Sequence, residues 1–357
     1  MSAQANWLES LSHQAGFYAR GTGRGRRDRE FDWRWFRGTP SGRLIGLRSF
    51  VKRAMYRMGM RDSLPISLDW LHENADRLWH TRSRFGDELS RLLYDESLVL
   101  RMTSHQRFYY PRIEFDDLVQ VRQVRPFKQE GFPDEYLGLP LQVFDGMVND
   151  SPLTMISTEL QVRALNSYRQ YLVTRGGVDL SPRPGDVVVD CGACIGEISV
   201  LFGSLVGPTG HVHAFDPIPL HTRFCELQKT LNPAVQMAVN TLAVGDKTFT
   251  AAAAGSVDSN RIEPGAVQTD QFSTTTIDDY GVKVDYIKMD IEGAELSALN
   301  GAAKTIARDK PRLAISAYHK PDDLWVLTDK ILELRPDYTL SFGHHTPIQW
   351  ESVIYAA

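Results

Sequence analysis

Asp190, Gly192, Ala193, Cys194, Gly196 and Glu197 lie together in the stretch VVVDCGACIGE. A β-branched run ending on an acid, a loop of small residues and a helix-forming stretch make the opening of a nucleotide-binding α/β unit. A second apolar run, HVHAFDP, ends on Asp216. An acid about twenty residues past such a loop can accept hydrogen bonds from both hydroxyls of a ribose. The pair points to an adenosine-containing cofactor. The dinucleotide spacing G-x-G-x-x-G is not met, because the loop glycines are Gly192 and Gly196 alone. Asp190 would repel a pyrophosphate but suits the ammonium of an amino-acid cofactor, so S-adenosylmethionine (SAM) is expected rather than NAD. Cys191 and Cys194 form a CxxC. No second cysteine pair completes a zinc site, and both residues stand where a cofactor loop demands small side chains, which is preferred to a redox or metal reading.

A second group of residues could carry the transfer. Lys288, Asp290, Glu292 and Glu295 fall in IKMDIEGAE, His319 in SAYHKPDD, and His344 and His345 in FGHHT. Methyl transfer from SAM is an in-line displacement that needs an aligned nucleophile and, for a hydroxyl acceptor, removal of its proton. Asp290 is expected at the carboxyl end of a strand with Glu292 in the same turn. Glu295 opens the next helix, where an acid suits the dipole. Lys288 shares the Asp290 side of the strand by alternation, as a charge partner or a structural lysine. His319 follows the neighbouring strand and suits general-base work near neutral pH. It could equally join Asp290 and Glu292 around a divalent cation such as Mg. A base without a required metal is favoured, because DIEG lacks the adjacent Asp-Asp pair of many metal-dependent O-methyltransferases. His344, His345 and Thr346 are expected in the turn between the last two strands, lining the substrate pocket.

These side chains need a sheet to hold them. Strands are predicted at 187–190, 212–216, 235–240, 285–290 and 312–317, with helices at 197–206, 219–231, 294–308 and 321–334 between them. Strands at 338–342 and 352–356 close the series. This alternation predicts an α/β fold, a mostly parallel sheet with one antiparallel strand. A helix over 158–173 leads into it. The preceding residues differ in kind. Residues 20–57 are arginine-rich with Trp33, Trp35 and Phe36 interleaved, and a basic amphipathic stripe begins at Leu44. Ordinary packing of that stripe is preferred to a membrane or acidic partner. Residues 68–100 carry helical spacing and 109–146 read as short strands and loops. Residues 1–150 are therefore expected to be a mostly helical accessory and substrate-recognition region, and 151–357 the cofactor-binding domain.

The chain has 357 residues, net charge −4, 42% apolar and 24% charged residues, and three cysteines. This is ordinary globular composition. The charge predicts no nucleic-acid partner, the lack of a long apolar run predicts no transmembrane span, and the odd cysteine count argues against a disulfide framework. A cytoplasmic enzyme is expected, with a homo-oligomer left open.

The segment from about residue 185 onward resembles the FkbM family of SAM-dependent methyltransferases. The resemblance rests on VVVDCGACIGE, HAFDPIP, NTLAVGD, TTTIDDYG, VDYIKMDIEGAELSALNGA and IQWESVIYA in this order. It implies a seven-stranded Rossmann-like class I methyltransferase fold and O-methylation of a sugar, polyketide or other small hydroxylated acceptor. Asp190 and the Gly192–Gly196 loop are assigned to the methionine portion of SAM and Asp216 to the ribose, and Asn240 and Ala243 lie where the adenine should rest. Two alternatives remain, a nucleic-acid methyltransferase and a non-catalytic SAM-binding scaffold. The first lacks an N/D-P-P-Y/F motif, and the intact loop and acids argue against the second.

Overall fold

The computed structural model describes residues 2–19, 66–103, 117–136, 138–166, 168–250, 272–346 and 350–357. The arginine-rich stretch, the stripe from Leu44 and most of the polar 250–270 excursion lie outside the described residues.

Helices α1 (Ala3–Ala19), α2 (Leu68–Glu73), α3 (Ala75–Arg84) and α4 (Glu88–Thr103) come first. Strands β1 (Gln120–Pro126), β2 (Gln142–Val148) and β3 (Ser151–Ser157) form a separate antiparallel sheet in that order. Helix α5 (Glu159–Asn166) leads to the main sheet. Its strands are β4 (Val187–Cys191), β5 (His211–Phe215), β6 (Met237–Asn240), β7 (Tyr286–Met289), β8 (Arg312–Ser316), β9 (Leu340–His344) and β10 (Ser352–Ala356). Between them run α6 (Glu197–Val206), α7 (Pro219–Leu231), α8 (Glu295–Asn300), α9 (Ala303–Asp309) and α10 (Asp323–Leu334).

The spatial order is β6-β5-β4-β7-β8-β10-β9, with β10 antiparallel to both neighbours and the other pairs parallel. This is the seven-stranded Rossmann-like class I methyltransferase sheet expected from the sequence. Chain order reverses at β4, so the crevice beyond the carboxyl ends of β4, β5 and β7 is the natural ligand position. The continuous apolar strands follow from burial on both faces. Ile287, Met289, Leu313 and Ile315 face a core completed by Trp7, Leu11, Leu78, Tyr94 and Leu98 of the N-terminal helices. Val188, Tyr286 and Ala314 face a second core shared with α6 and with Phe144, Leu153 and Met155 of the three-stranded sheet. The N-terminal residues therefore cover both faces of the main sheet.

The chain departs from the sequence reading at three places. The expected boundary at residue 150 falls on the turn Asn149–Asp150, both at positive φ, of a hairpin whose strands pair from Val148↔Ser151 to Gln142↔Ser157. The polar stretch NDSPL (149–153), whose composition predicts that boundary, marks the turn instead. The helix expected over 158–173 stops at Asn166, and Arg169 and Tyr171 then take left-handed conformations. The hydroxyl of Tyr286 anchors this turn by donating to the Tyr171 carbonyl at 2.7 Å. The helix expected over 294–308 is broken into α8 and α9.

Candidate active site

The cofactor end is built on the close approach of β4, β5 and β7. The backbone N–H groups of Gly192 and Ala193 both donate to the Phe215 carbonyl at 2.9 Å. A Cβ on Gly192 would lie 1.8 Å from the Asp290 carbonyl oxygen, and Gly192 has φ +81. No side chain fits there, which explains this glycine. Gly196, at φ +87, opens α6 with a Cβ position 3.0 Å from the Cys225 Cα. Cys194 sits between them in the left-handed region, and its N–H donates to Asp216 Oδ2 at 3.0 Å.

Asp216 stands just past β5 and ties the crevice together. Its Oδ1 accepts from Ile218 N at 2.9 Å and lies 3.0 Å from His221 Nδ1. Three protein partners leave the carboxylate one further accepting position. Asn240 ends β6 and donates to the Ala214 carbonyl at 3.1 Å. Ala243 follows in the short β-pair with Thr274. Tyr280 packs edge-on against Phe215 at 4.8 Å and bonds His213 Nδ1 at 2.8 Å. Glu197 is buried in the first turn of α6 with its Oε2 unpartnered, and burial pushes its carboxyl up to about 7.

Asp190 differs from the expectation. Lys288 is its register partner across β4 and β7, and the two are 0% and 1% exposed, with Lys288 Nζ 3.0 Å from Asp190 Oδ1. Ser199 donates to the other carboxylate oxygen at 2.6 Å. Lys288 also donates to the Gly192 carbonyl at 2.6 Å. Lys288, a transfer candidate by sequence, is thus a buried support for the Gly192–Gly196 loop. A charged amine beneath the sheet must meet its counter-charge there, and Asp190 supplies it.

The second group, expected from the sequence to carry the transfer, is centred on Asp290. Its two oxygens accept from Tyr171 Oη at 2.9 Å and Tyr318 Oη at 2.8 Å. His319 follows β8 and lies beside three carboxylates. Its Nδ1 is 3.1 Å from Glu295, and its Nε2 is 3.5 Å from Asp290 and 3.7 Å from Glu292. Burial opposes the charge on His319, but Glu295, Asp290 and Glu292 outweigh it and raise the imidazole to about 9. His319 is therefore an imidazolium at neutral pH, so it takes up a proton as a base only in alkaline solution. Glu292 sits at positive φ, half-exposed, and burial pushes its carboxyl upward. Glu295 is fully buried and its Oε1 accepts from Ile291 N at 2.9 Å, so it closes the DIEG turn as well as facing His319.

Several residues of this end carry no sequence motif. Gln170 hydrogen-bonds Glu351, another left-handed residue, whose carboxyl is pushed up to about 8 by burial and by Asp290. Arg101 of α4 donates from Nη2 to the Ala317 carbonyl at 2.8 Å and to Ser352 Oγ at 3.1 Å. It fastens together the ends of β8 and β10, which carry Tyr318, His319 and Glu351. Tyr136 reaches Cys194 Sγ at 3.0 Å from the N-terminal half. Of these, Tyr318 had a signal in its adjacency to His319, and Glu351 in its place within IQWESVIYA.

His344 and His345 do not line the crevice. Each is 5% exposed. His344 Nδ1 bonds Ser352 Oγ at 2.8 Å. His345 bonds the Tyr168 carbonyl at 3.0 Å and the Tyr355 hydroxyl at 2.8 Å, and burial lowers it to about 3. With β9 and β10 tightly paired, the turn folds these rings inward, where neutral partners hold them.

Residues 190–340 match the family model described as the methyltransferase FkbM domain. A crystal structure of methyltransferase FkbM from Methylobacillus flagellatus KT is 26% identical at a TM-score of 0.52, covering 80% of this chain and 60% of that one. The chain thus spans three-fifths of that structure's length. Two further structures share less. One is fibrillarin from Aeropyrum pernix with SAM (11% identity, TM-score 0.34, covering 67% of this chain and 100% of that one). The other is a putative rRNA-methylase from Clostridium thermocellum (13%, 0.33, 49% and 86%). Curated proteins yield no significant match. Residues 190–340 of this chain thus match a methyltransferase FkbM domain, on a sheet of the class I Rossmann-like order.

Proposed function

We propose that the chain is a SAM-dependent methyltransferase that methylates a hydroxyl of a small, uncharged or cationic acceptor such as a sugar- or polyketide-like molecule. The observation that carries the reading is that polar groups gather at two chemically distinct places beyond the carboxyl ends of neighbouring strands. At one, Asp216 and the glycine loop close the β4–β5 side. At the other, Asp290, Glu292, Glu295 and His319 gather beyond β7 and β8. The residues fit SAM. Asp216 keeps an accepting position for the ribose, and Glu197 holds a buried unpartnered oxygen beside the loop, which suits a cationic amino-acid end. Bound SAM supplies an activated methyl group. Tyr171 and Tyr318 fix the Asp290 carboxylate, which orients the acceptor hydroxyl, and Glu292 is placed to take its proton. His319 holds these acids in position as their counter-charge. A wall of carboxylates repels phosphate, which favours a neutral or cationic acceptor over nucleic acid. No described helix is long and apolar enough to cross a membrane, and a cytoplasmic setting is part of the same reading.

Asp216→Ala tests it. The variant is expected to fold and to bind SAM about tenfold or more weakly by calorimetry, since an unpaired buried polar group costs about 1–3 kcal/mol. Unchanged SAM affinity, or tight NAD binding by the unmodified chain, overturns the assignment.

A further inference from the structure

We propose that Tyr136 is a positioning residue for the cofactor, bracing from the N-terminal half the two groups that orient the Asp216 carboxylate. The first brace is a hydrogen bond. Cys194 Sγ donates to Tyr136 Oη at 3.0 Å, and the Cys194 N–H donates to Asp216 Oδ2 at 3.0 Å. The second is a ring contact. The Tyr136 ring meets the His221 ring edge-on with centroids 5.7 Å apart, and His221 Nδ1 lies 3.0 Å from Asp216 Oδ1. One tyrosine thus touches a partner of each carboxylate oxygen. Burial pushes the Tyr136 phenol and the Cys194 thiol well upward, so both stay neutral and the thiol keeps the proton it donates.

The segment that carries Tyr136 is docked where it must be. Glu135–Tyr136 pairs with Leu139–Pro140, and Phe127 N closes the loop by donating to the Leu141 carbonyl at 3.0 Å. Phe132 and Phe127 both pack on Phe224 of α7, at 4.8 Å and 5.7 Å. Arg223, the residue before it, donates to the Gly131 carbonyl at 2.9 Å and lies over the Phe132 ring. Tyr136, Phe132 and Cys194 pack against one apolar cluster that includes Phe224 and Ile195 of the cofactor loop. The segment therefore rests on the glycine loop and on α7, the two elements on either side of Asp216.

The loop needs such a hold. Cys194 is a non-glycine residue in the left-handed region, a conformation that persists only where its surroundings fix it. The contact to Tyr136 fixes the side chain of that same residue. Without the tyrosine, Cys194 and His221 gain freedom, and SAM must order Asp216 as it binds, which lowers affinity. The inference rests on the SAM reading of Asp216. It adds that the cofactor site is completed by a residue outside the matched 190–340 segment.

The test is SAM calorimetry on the full chain. Tyr136→Phe keeps the ring against His221 and removes only the hydroxyl, so SAM should bind about threefold more weakly. Tyr136→Leu removes both braces and should weaken SAM about tenfold. In an Asp216→Asn background, either substitution should change SAM affinity less than about twofold, because the carboxylate it braces is gone. A residue that merely supports folding would cost the same in both backgrounds. Equal losses in both backgrounds, or unchanged affinity in Tyr136→Phe and Tyr136→Leu, overturn the proposal. Tyr136→Phe carries the comparison if Tyr136→Leu does not fold. An unmodified chain that binds no SAM overturns the SAM reading and this inference together, whereas SAM binding indifferent to Tyr136 overturns this inference alone.

Discussion

His319 and His345 each follow a strand of the same sheet, yet their surroundings drive them in opposite directions. His319 lies beside Asp290, Glu292 and Glu295 and is raised to about 9. His345 has a carbonyl and a hydroxyl for partners and is lowered to about 3. Both are largely buried, so desolvation acts on both. The sign is decided by whether carboxylates stand close enough to outweigh it. Position at a strand end therefore marks a candidate, and the charge of its neighbours sorts the carboxylate cluster around His319 from the packed hairpin around His345.

The largest effect should separate the two histidines by activity. His319→Gln is expected to lower kcat for methyl transfer by about 10²-fold, because the acids lose the counter-charge that positions them, followed as S-adenosylhomocysteine release, while SAM affinity stays nearly unchanged. His345→Asn should leave kcat per folded molecule within a few-fold. The reverse ranking would break the division.

Stability should separate them next, through pH. The folded pKa of His345 lies below its unfolded value, so the unfolded chain binds more protons between about 6.5 and 3. Stability from His345 is present above pH 6.5 and is lost as pH falls towards 3. His319 has the opposite sign: its pairs stabilise fully below pH 6.5 and fade as pH rises through about 9. His345→Ala should cost about 2–4 kcal/mol in urea unfolding at pH 7 and flatten the acid limb. An unaltered acid limb would show that His345 is not held neutral by the fold.

The smallest effect extends the contrast to a buried acid. Glu197 is raised to about 7, so the folded chain binds more protons than the unfolded one between about pH 4.5 and 7. Its contribution to stability declines as pH rises through that window and is lowest above 7. Glu197→Gln should therefore raise unfolding stability at pH 8 by about 1–3 kcal/mol and remove that slope. Equal stability of the two proteins at pH 8 would place Glu197 in a wetter setting than the fold assigns it.

Much of the fold is written in local patterns. VVVDC and HVHAF are strands because continuous β-branched and apolar runs suit a sheet covered on both faces. Pro219 opens its helix where the fixed φ is tolerated, and the tight turns at Gly192 and Gly196 are legible as glycines. Asp216, Asp290, Glu292 and His319 were readable as candidates because each follows a strand of an α/β alternation. The misreadings are as instructive. The NDSPL turn reads as a linker because a tight hairpin and a domain boundary use the same polar residues. His344 and His345 read as pocket residues because nothing local reports which way a turn folds its rings.

The sequence by itself determined the order of strands and helices, the glycine loop and the acids at the strand ends, since these depend on neighbours a few residues away. Only the tertiary structure decided which of those acids are free to react. Lys288 meets Asp190 through the register of β7 on β4, and the pair withdraws both into the core. Tyr171 reaches Asp290 across 119 positions of chain, and Arg101 reaches Ser352 across 251. Such contacts arise from the packing of distant segments on one sheet. Burial and proximity then set the charge of each group, and no spacing along the chain encodes either.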